Sequence, residues 1–353
     1  MKFATKAELE KLESFLETEG NNILFHHNDA DGICSAALFL KFFQNFDPRV
    51  RGGPILDDDF VKEIEIEKPD LLVFLDLPVD QSWKKLDKIM KKLPELKIVI
   101  IDHHIFEKNM NSENVLHINP MLKSDEYIPA SAVVYDILKE MKKPVKPYCW
   151  ISCIGIIGDY GFETSFCKDV LKECKKMYPD LLREHPLKSK LAEGVEIISS
   201  STAVRGFFGA EFSLDALLKS RYFNDFSSVK IFETWRMKRN QEFERVVKRA
   251  DSKKEIAGEV IFYPVKSKLS IYQDLGTHLG EINPNNVIIT IRDLGDNLYK
   301  IGMRGQSGKH NLGELAKKCS KGIGNGGGHP KAAGAVVNDI KKFKKRFLKE
   351  VNG

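Results

Sequence analysis

Residues 21–35 read NNILFHHNDADGICS. The apolar run Ile23-Leu24-Phe25 stops at His26 and His27. Asp29, Asp31 and Gly32 follow, and then small residues. NILFH (22–26) reads as a buried strand, and DGICSAALFLKFFQNF (31–46) reads as a helix with its small residues first. A strand that passes through a short acidic turn into a helix is the opening of a parallel α/β sheet. Clustered anions repel one another, and burying them is costly unless something neutralises them. A metal ion would do so.

The same alternation runs outward from this stretch. DLLVFLD (70–76), KIVIID (97–102) and VLHIN (115–119) read as further buried strands, and residues 78–93 and 131–141 carry a helical period. Strands alternating with helices predict a parallel sheet covered by helices on both faces. Residues 185–220 look helical, and 227–252 form a long charged helical stretch. Past residue 255 the texture changes: GEVIFYPV (258–265), NVIITIRDL (286–294) and LYKIGMRG (298–305) read as strands, and NLGELAKKC (311–319) as a helix. The expected organisation is a first domain over 1–220, a helical linker over 221–255 and a smaller α/β domain over 256–353.

Composition narrows the class. The chain has 353 residues, 42% hydrophobic and 30% charged, as in a folded globular protein. No apolar run approaches the roughly 20 residues that span a bilayer, and residues 1–20 form a charged helical pattern without a signal-peptide core. The expected location is the cytoplasm. The six cysteines, at 34, 149, 153, 167, 174 and 319, include no CxxC pair, so they read as reduced, buried thiols. Net charge is +5 but unevenly spread: residues 301–353 carry 12 Lys and Arg against 3 Asp and Glu. A basic end behind an acidic body points to a polyanionic ligand, although KKFKKRFLKE (341–350) also fits a plain solvated helix face.

The acids recur at one kind of place. Asp29 and Asp31 follow the first strand, and Asp76 ends DLLVFLD. Asp102 ends KIVIID, directly before His103 and His104. Asp159 lies in GIIGDYG after an apolar stretch. In open parallel sheets, sites form at the carboxyl ends of strands, where these groups would converge. Each acid alone would serve as a helix cap, and His117, His185, His278 and His310 read as packed histidines. Five acids with two histidine pairs suit divalent ions such as Mn²⁺, Mg²⁺, Fe²⁺ or Zn²⁺. That many acids suggest two ions, about 3.5–4 Å apart, as in two-metal phosphoesterases.

These residues resemble the motifs of the DHH/DHHA1 phosphoesterase superfamily. The first motif matches His27-Asn28-Asp29-Ala30-Asp31-Gly32, the second Asp76, the third Asp102-His103-His104 and the fourth Asp159. GNGGGHPKAAG (324–334) is similar to the glycine-rich motif of the DHHA1 domain, and Arg304 to the arginine that ends one of its strands. The resemblance implies a DHH domain, a helical linker and a DHHA1 domain over the three segments given above. It implies two divalent ions, manganese or magnesium: one held by His27, Asp29 and Asp76, the other by Asp31, Asp76, His103 and Asp159. His26 competes with its neighbour, and His27 is the preferred ligand. Asp102 would orient a neighbouring histidine, and His104 would contact the phosphate or protonate the leaving group. Gly326, Gly327 and Gly328 would form a loop that clamps the substrate phosphate, with His329 and Arg304 adding charge.

Within the superfamily the chain looks most like the compact archaeal RecJ-like nucleases, which implies metal-dependent exonucleolytic hydrolysis of single-stranded DNA or RNA. Replication or repair proteins and a second copy of the chain are the expected further partners, with no membrane. Short-oligonucleotide (nano-RNase) and cyclic-dinucleotide phosphodiesterases are the alternatives, and a non-catalytic replication or repair scaffold is the alternative of another kind. Phe207, Phe208 and Trp235 are candidates for base stacking or for core positions.

Overall fold

The computed structural model describes residues 3–53, 56–124 and 126–352. It divides into two compact units, Met1–Arg236 and Met237–Gly353. The division falls within one helix, Lys230–Asp251.

The first unit runs α1 (Lys6–Leu16), β1 (Asn22–His27), α2 (Ala30–Leu40), β2 (Asp47–Arg51), α3 (Asp58–Glu67), β3 (Leu71–Leu75), α4 (Trp83–Lys92), β4 (Lys97–Ile101), β5 (Val115–Ile118), α5 (Ala130–Glu140), α6 (Cys149–Gly158), α7 (Ser165–Met177), α8 (Lys190–Arg205), α9 (Phe207–Lys219) and α10 (Phe223–Ser227), then enters α11 (Lys230–Asp251). The five strands are all parallel, in the order β2-β1-β3-β4-β5. Their alternate side chains feed two cores. Leu24, Val73, Leu75, Val99 and Ile101 face the core built with α2, α5 and α6. Ile23, Phe25, Leu72, Phe74 and Ile100 face the core built with α3 and α4. Strands buried on both faces read as continuous apolar runs, which is why β1, β3 and β4 stand out in the sequence. The strand order reverses between β1 and β3, and in open α/β sheets sites form at the carboxyl ends of the strands beside such a reversal.

The second unit begins within α11 and continues β6 (Glu255–Ala257), β7 (Val260–Pro264), α12 (Tyr272–Ile282), β8 (Val287–Gly295), β9 (Leu298–Gly305), α13 (Leu312–Ser320), β10 (Gly324–Gly328), β11 (Ala332–Val337) and α14 (Ile340–Asn352). Its mixed sheet has the order β10-β11-β9-β8-β7-β6. Leu312 and Ala316 of α13 and Phe343 and Phe347 of α14 pack on it through Phe262, Ile289, Ile301 and Met303.

Two expectations change. The glycine-rich stretch is not a loop: Gly324–Gly328 forms the edge strand β10, paired antiparallel with β11. Glycines carry no side-chain alternation, so a strand made of them leaves no periodic signal. Their smallness also serves packing, since a Cβ on Gly326 would lie 2.7 Å from the Ala316 carbonyl oxygen of α13. The residues before Asp159 are a helix, α6, with Cys149–Ile157 all buried. A helix that is apolar all round has no amphipathic period to distinguish it from a buried strand. All six cysteines are free and buried. Among the described residues no helix is long and apolar enough to cross a membrane.

Candidate metal centre

The site starts from the ends of β1, β3 and β4. Asp29 is the N-cap of α2, accepting from the Gly32 amide at 3.0 Å. Capping leaves its other oxygen 2.8 Å from His27 Nδ1. Gly32 is held close under β1, where a Cβ would fall 2.7 Å from the His27 carbonyl oxygen. Asp76 follows β3 with φ +59°, a left-handed backbone that is rare outside glycine, and its amide still extends the ladder by donating to the Ile101 carbonyl at 2.9 Å. Such a conformation persists when the surroundings over-determine it, and it concentrates at functional sites. Asp76 reaches two histidines. One oxygen lies 3.7 Å from His27 Nδ1 and the other 3.1 Å from His103 Nε2.

His103 Nε2 is also 3.3 Å from Asp159 Oδ2 and 4.0 Å from Asp31 Oδ2. Among the described residues three groups of candidate donors result, each with its ligand atoms within 4.8 Å of one another: His27, Asp29 and Asp76; Asp31, His103 and Asp159; and Asp76, His103 and His104. Asp76 belongs to two of them, and His103 links the others. The structure thus brings together all six residues expected as ligands, with Asp102 and His104 beside them. Asp102 is fully buried and accepts from His104 Nδ1 at 2.8 Å and from the His104 amide at 3.1 Å.

His26 points elsewhere. It is fully buried, and its Nδ1 donates to the His27 carbonyl at 2.8 Å. Burial pushes its pKa down to about 4, so it stays neutral. It belongs to none of the three donor groups.

Three further residues shape the site, and two of them, Ser131 and Tyr127, gave no sequence signal. Ser131 donates to Asp31 through both its hydroxyl and its amide, and the Ala130 amide donates to the other Asp31 oxygen at 2.6 Å. Asp31 therefore sits on the N-terminus of α5, where helix dipole and amides favour an anion. Gly155 makes room for this, since a Cβ there would lie 2.7 Å from Asp31 Oδ1. The Tyr127 hydroxyl donates to Asp159, and its ring packs edge-on to His103 at 5.0 Å. The partners of Asp31 lie about 100 residues away in the chain, beyond the reach of any local pattern. Gly155 is the exception, because a glycine inside a helix usually marks a close approach.

The electrostatics fit a cation. Burial, then Asp76 and Asp159, raise the Asp31 pKa well above the usual carboxylate range, and burial raises Asp159 as well. Burial opposes charge on His103, but Asp76, Asp159 and Asp31 outweigh it and push its pKa up to about 10. Without a cation the cluster holds protons instead. Asp76 Oδ1 and His103 Nδ1 are buried without a well-formed hydrogen bond. Carboxylates and imidazoles with spare lone pairs form a donor set for a divalent ion.

In the second unit, Arg304 and Gly328 line one cavity of about 280 Å³ with Arg292, Lys300 and Tyr272. Gly326 and Gly327 continue along β10. The exposed His329 closes the turn to β11, its amide donating to the Ala332 carbonyl at 2.8 Å. Phe207 and Phe208 are each 51% exposed, whereas Trp235 is buried.

Residues 22–156 match the N-terminal domain of the DHH family, and residues 266–353 match the DHHA1 domain. The chain is a DHH–DHHA1 protein. Its fold is that of RecJ from Thermus thermophilus, solved with Mn²⁺: TM-score 0.77 at 16% identity, covering 98% of this chain and 54% of that one. An exonuclease RecJ bound to manganese superposes with TM-score 0.71 at 17% identity, covering 98% of this chain and 93% of the other. An uncharacterised protein of Methanocaldococcus jannaschii is 25% identical over 169 residues, 45% of this chain and 36% of that relative. The chain thus spans little more than a third of the curated relative's length. The matched stretch 22–156 contains every donor but Asp159, which lies three residues beyond it, and the stretch 266–353 contains Arg304 and the glycine strand.

Proposed function

We propose that this DHH–DHHA1 protein is a divalent-metal-dependent phosphodiesterase that hydrolyses single-stranded DNA or RNA from an end. The observation that carries the reading is Asp76, placed between two sets of donors by its left-handed backbone. His27, Asp29 and Asp76 would hold one ion, and Asp31, Asp76, His103 and Asp159 a second, manganese or magnesium. Such ions acidify water and neutralise charge on phosphoryl oxygens.

The side chains around them have their own tasks. Asp102 fixes the tautomer of His104 by accepting from Nδ1, which leaves Nε2 of this half-exposed ring to deliver a proton to the leaving oxygen. Ser131 and the start of α5 hold Asp31 in place, and Tyr127 does the same for Asp159. Arg304, Gly326, Gly327, Gly328 and His329 would bind the substrate's phosphates, by guanidinium, imidazole and backbone amides.

The cavity beside Arg304 favours a second reading, hydrolysis of short oligonucleotides or cyclic dinucleotides. Its volume of about 280 Å³ is at the small end of ligand sites. One experiment separates the two. End-labelled DNA and RNA strands of about 3 and about 30 nucleotides are incubated with the protein and Mn²⁺ or Mg²⁺, with Asp76→Ala as control. Stepwise shortening of the long strands, lost in the variant, supports the exonuclease. Cleavage of the short strands alone supports the scavenger. No cleavage of either overturns both, and a biological role that survives Asp76→Ala would support a scaffold.

A further inference from the structure

We propose that helix α11 and the loop after β7 form a track for the phosphate backbone of a long single strand, a proposal that rests on the nucleic-acid reading above. Lys238, Arg245 and Arg249 recur at i, i+7 and i+11 on α11, so they share one helix face. Eleven residues at 1.5 Å each span about 16 Å. Lys266 and Lys268 stand on the facing loop, and the five cations line one groove of about 540 Å³. A single phosphate cannot engage charges over that length. A strand can, at about 3.4 Å per stacked nucleotide.

Of these five charges Arg245 is paired, and the other four are kept available. The groove's one lining carboxylate, Glu242, is already engaged, accepting from Arg245 Nε at 2.6 Å and from the Ser267 hydroxyl at 2.6 Å. Those bonds clip the loop to the helix. The Tyr272 hydroxyl fastens it again, donating to the Ser267 carbonyl at 2.6 Å. Lys266 and Lys268 flank this pinned residue. Lys238, Arg249, Lys266 and Lys268 are exposed and have no carboxylate partner among the described residues. Converging cations repel, and a polyanion relieves that repulsion. A groove suits a rod-like backbone better than a flat membrane surface. Tyr272 also ties the groove to the cavity that holds Arg304, because its ring lines that cavity with the Arg292 guanidinium 4.3 Å away.

The test is fluorescence anisotropy on the full chain in EDTA, which separates binding from cleavage. The probes are labelled 20-nucleotide and 3-nucleotide DNA over a series of salt concentrations. Lys238→Gln, Arg249→Gln and Lys268→Gln are combined in one variant. We expect it to bind the 20-mer at least 10-fold more weakly, with the salt slope smaller by about 2, from roughly 0.7 per lost phosphate contact. Trimer binding stays unchanged, and a variant with Lys238→Arg and Lys268→Arg keeps wild-type affinity. Unchanged 20-mer binding overturns the track, as does an equal loss for the trimer. Loss of binding to phosphatidylserine vesicles in place of the 20-mer overturns it too. If wild-type protein cuts strands while the Gln variant binds them normally, the track fails and the nuclease reading stands. If wild-type protein neither binds nor cuts strands, the nuclease reading falls and takes the track with it.

Discussion

Asp102 holds His104 twice: one carboxylate oxygen lies 2.8 Å from the ring Nδ1, and the other 3.1 Å from the backbone amide. Asp102 is buried, so this grip is not shared with water. Burial alone would make His104 less basic, but the Asp102 hydrogen bond and charge outweigh it and raise the pKa. His104 therefore stays protonated to a higher pH than a free imidazole, as a general acid near neutrality requires.

Asp102→Asn keeps the shape and removes the charge. His104 should then lose its proton at lower pH. Turnover should fall by about 10- to 100-fold, the usual cost of losing such a support. The alkaline limb of the rate–pH profile should move to lower pH. A limb that stays in place while turnover falls would exclude His104 as the proton donor.

The metal cluster should also govern stability against pH. In protein without added metal, His103 has its pKa raised to about 10, against about 6.5 unfolded. Its contribution is complete below pH 6.5 and is lost as pH rises through 10. The raised Asp31 pKa acts in the same direction, since its protonated form favours the folded state. His26 acts oppositely: its folded pKa of about 4 takes stability away as pH falls from 6.5 toward 4. Below neutrality His26 and Asp31 oppose each other, so the Tm of the metal-free chain should change little there and then drop by roughly 5 °C by pH 10. Manganese at 100 times its Kd should add about 2.7 kcal/mol, roughly 4 °C for a chain of this length, with the larger gain on the alkaline side. Differential scanning fluorimetry across pH checks this. A flat metal-free profile, or a metal gain that survives Asp76→Asn, would refute it.

The strands that carry this site are legible in the sequence because burial on both faces writes them as apolar runs. β2 is not legible: DPRVR is polar and partly exposed on the sheet edge, so it carries no such run. The acids could be read as a set because each one ends an apolar segment. That rule holds for Asp76 and Asp102 on strands, and it also picks out Asp159, whose segment is a helix. What supports the acids was hidden, because the Asp31–Ser131 bond joins residues 100 apart in the chain. The glycines of β10 advertised a phosphate loop, while the fold uses some of them to bring α13 against the sheet.

That double use can be split between neighbouring residues. A Cβ on Gly326 would lie 2.7 Å from the Ala316 carbonyl oxygen and 2.9 Å from Ala335 Cβ, whereas one on Gly327 would meet nothing within 4 Å. Gly326→Ala should therefore cost about 1–3 kcal/mol, the range of an overpacked core, and lower the Tm. Gly327→Ala should leave stability within about 0.5 kcal/mol, as for an exposed substitution. If substrate phosphate approaches the β10 backbone, the new methyl group at 327 stands in its way. The KM for single strands should then rise at least 10-fold, a loss of about 1.4 kcal/mol, with kcat little changed. Thermal melts and steady-state kinetics on the two variants decide the matter. A Gly327→Ala protein with wild-type KM would confine the glycine strand to a packing role and leave Arg304 and His329 to bind the phosphate.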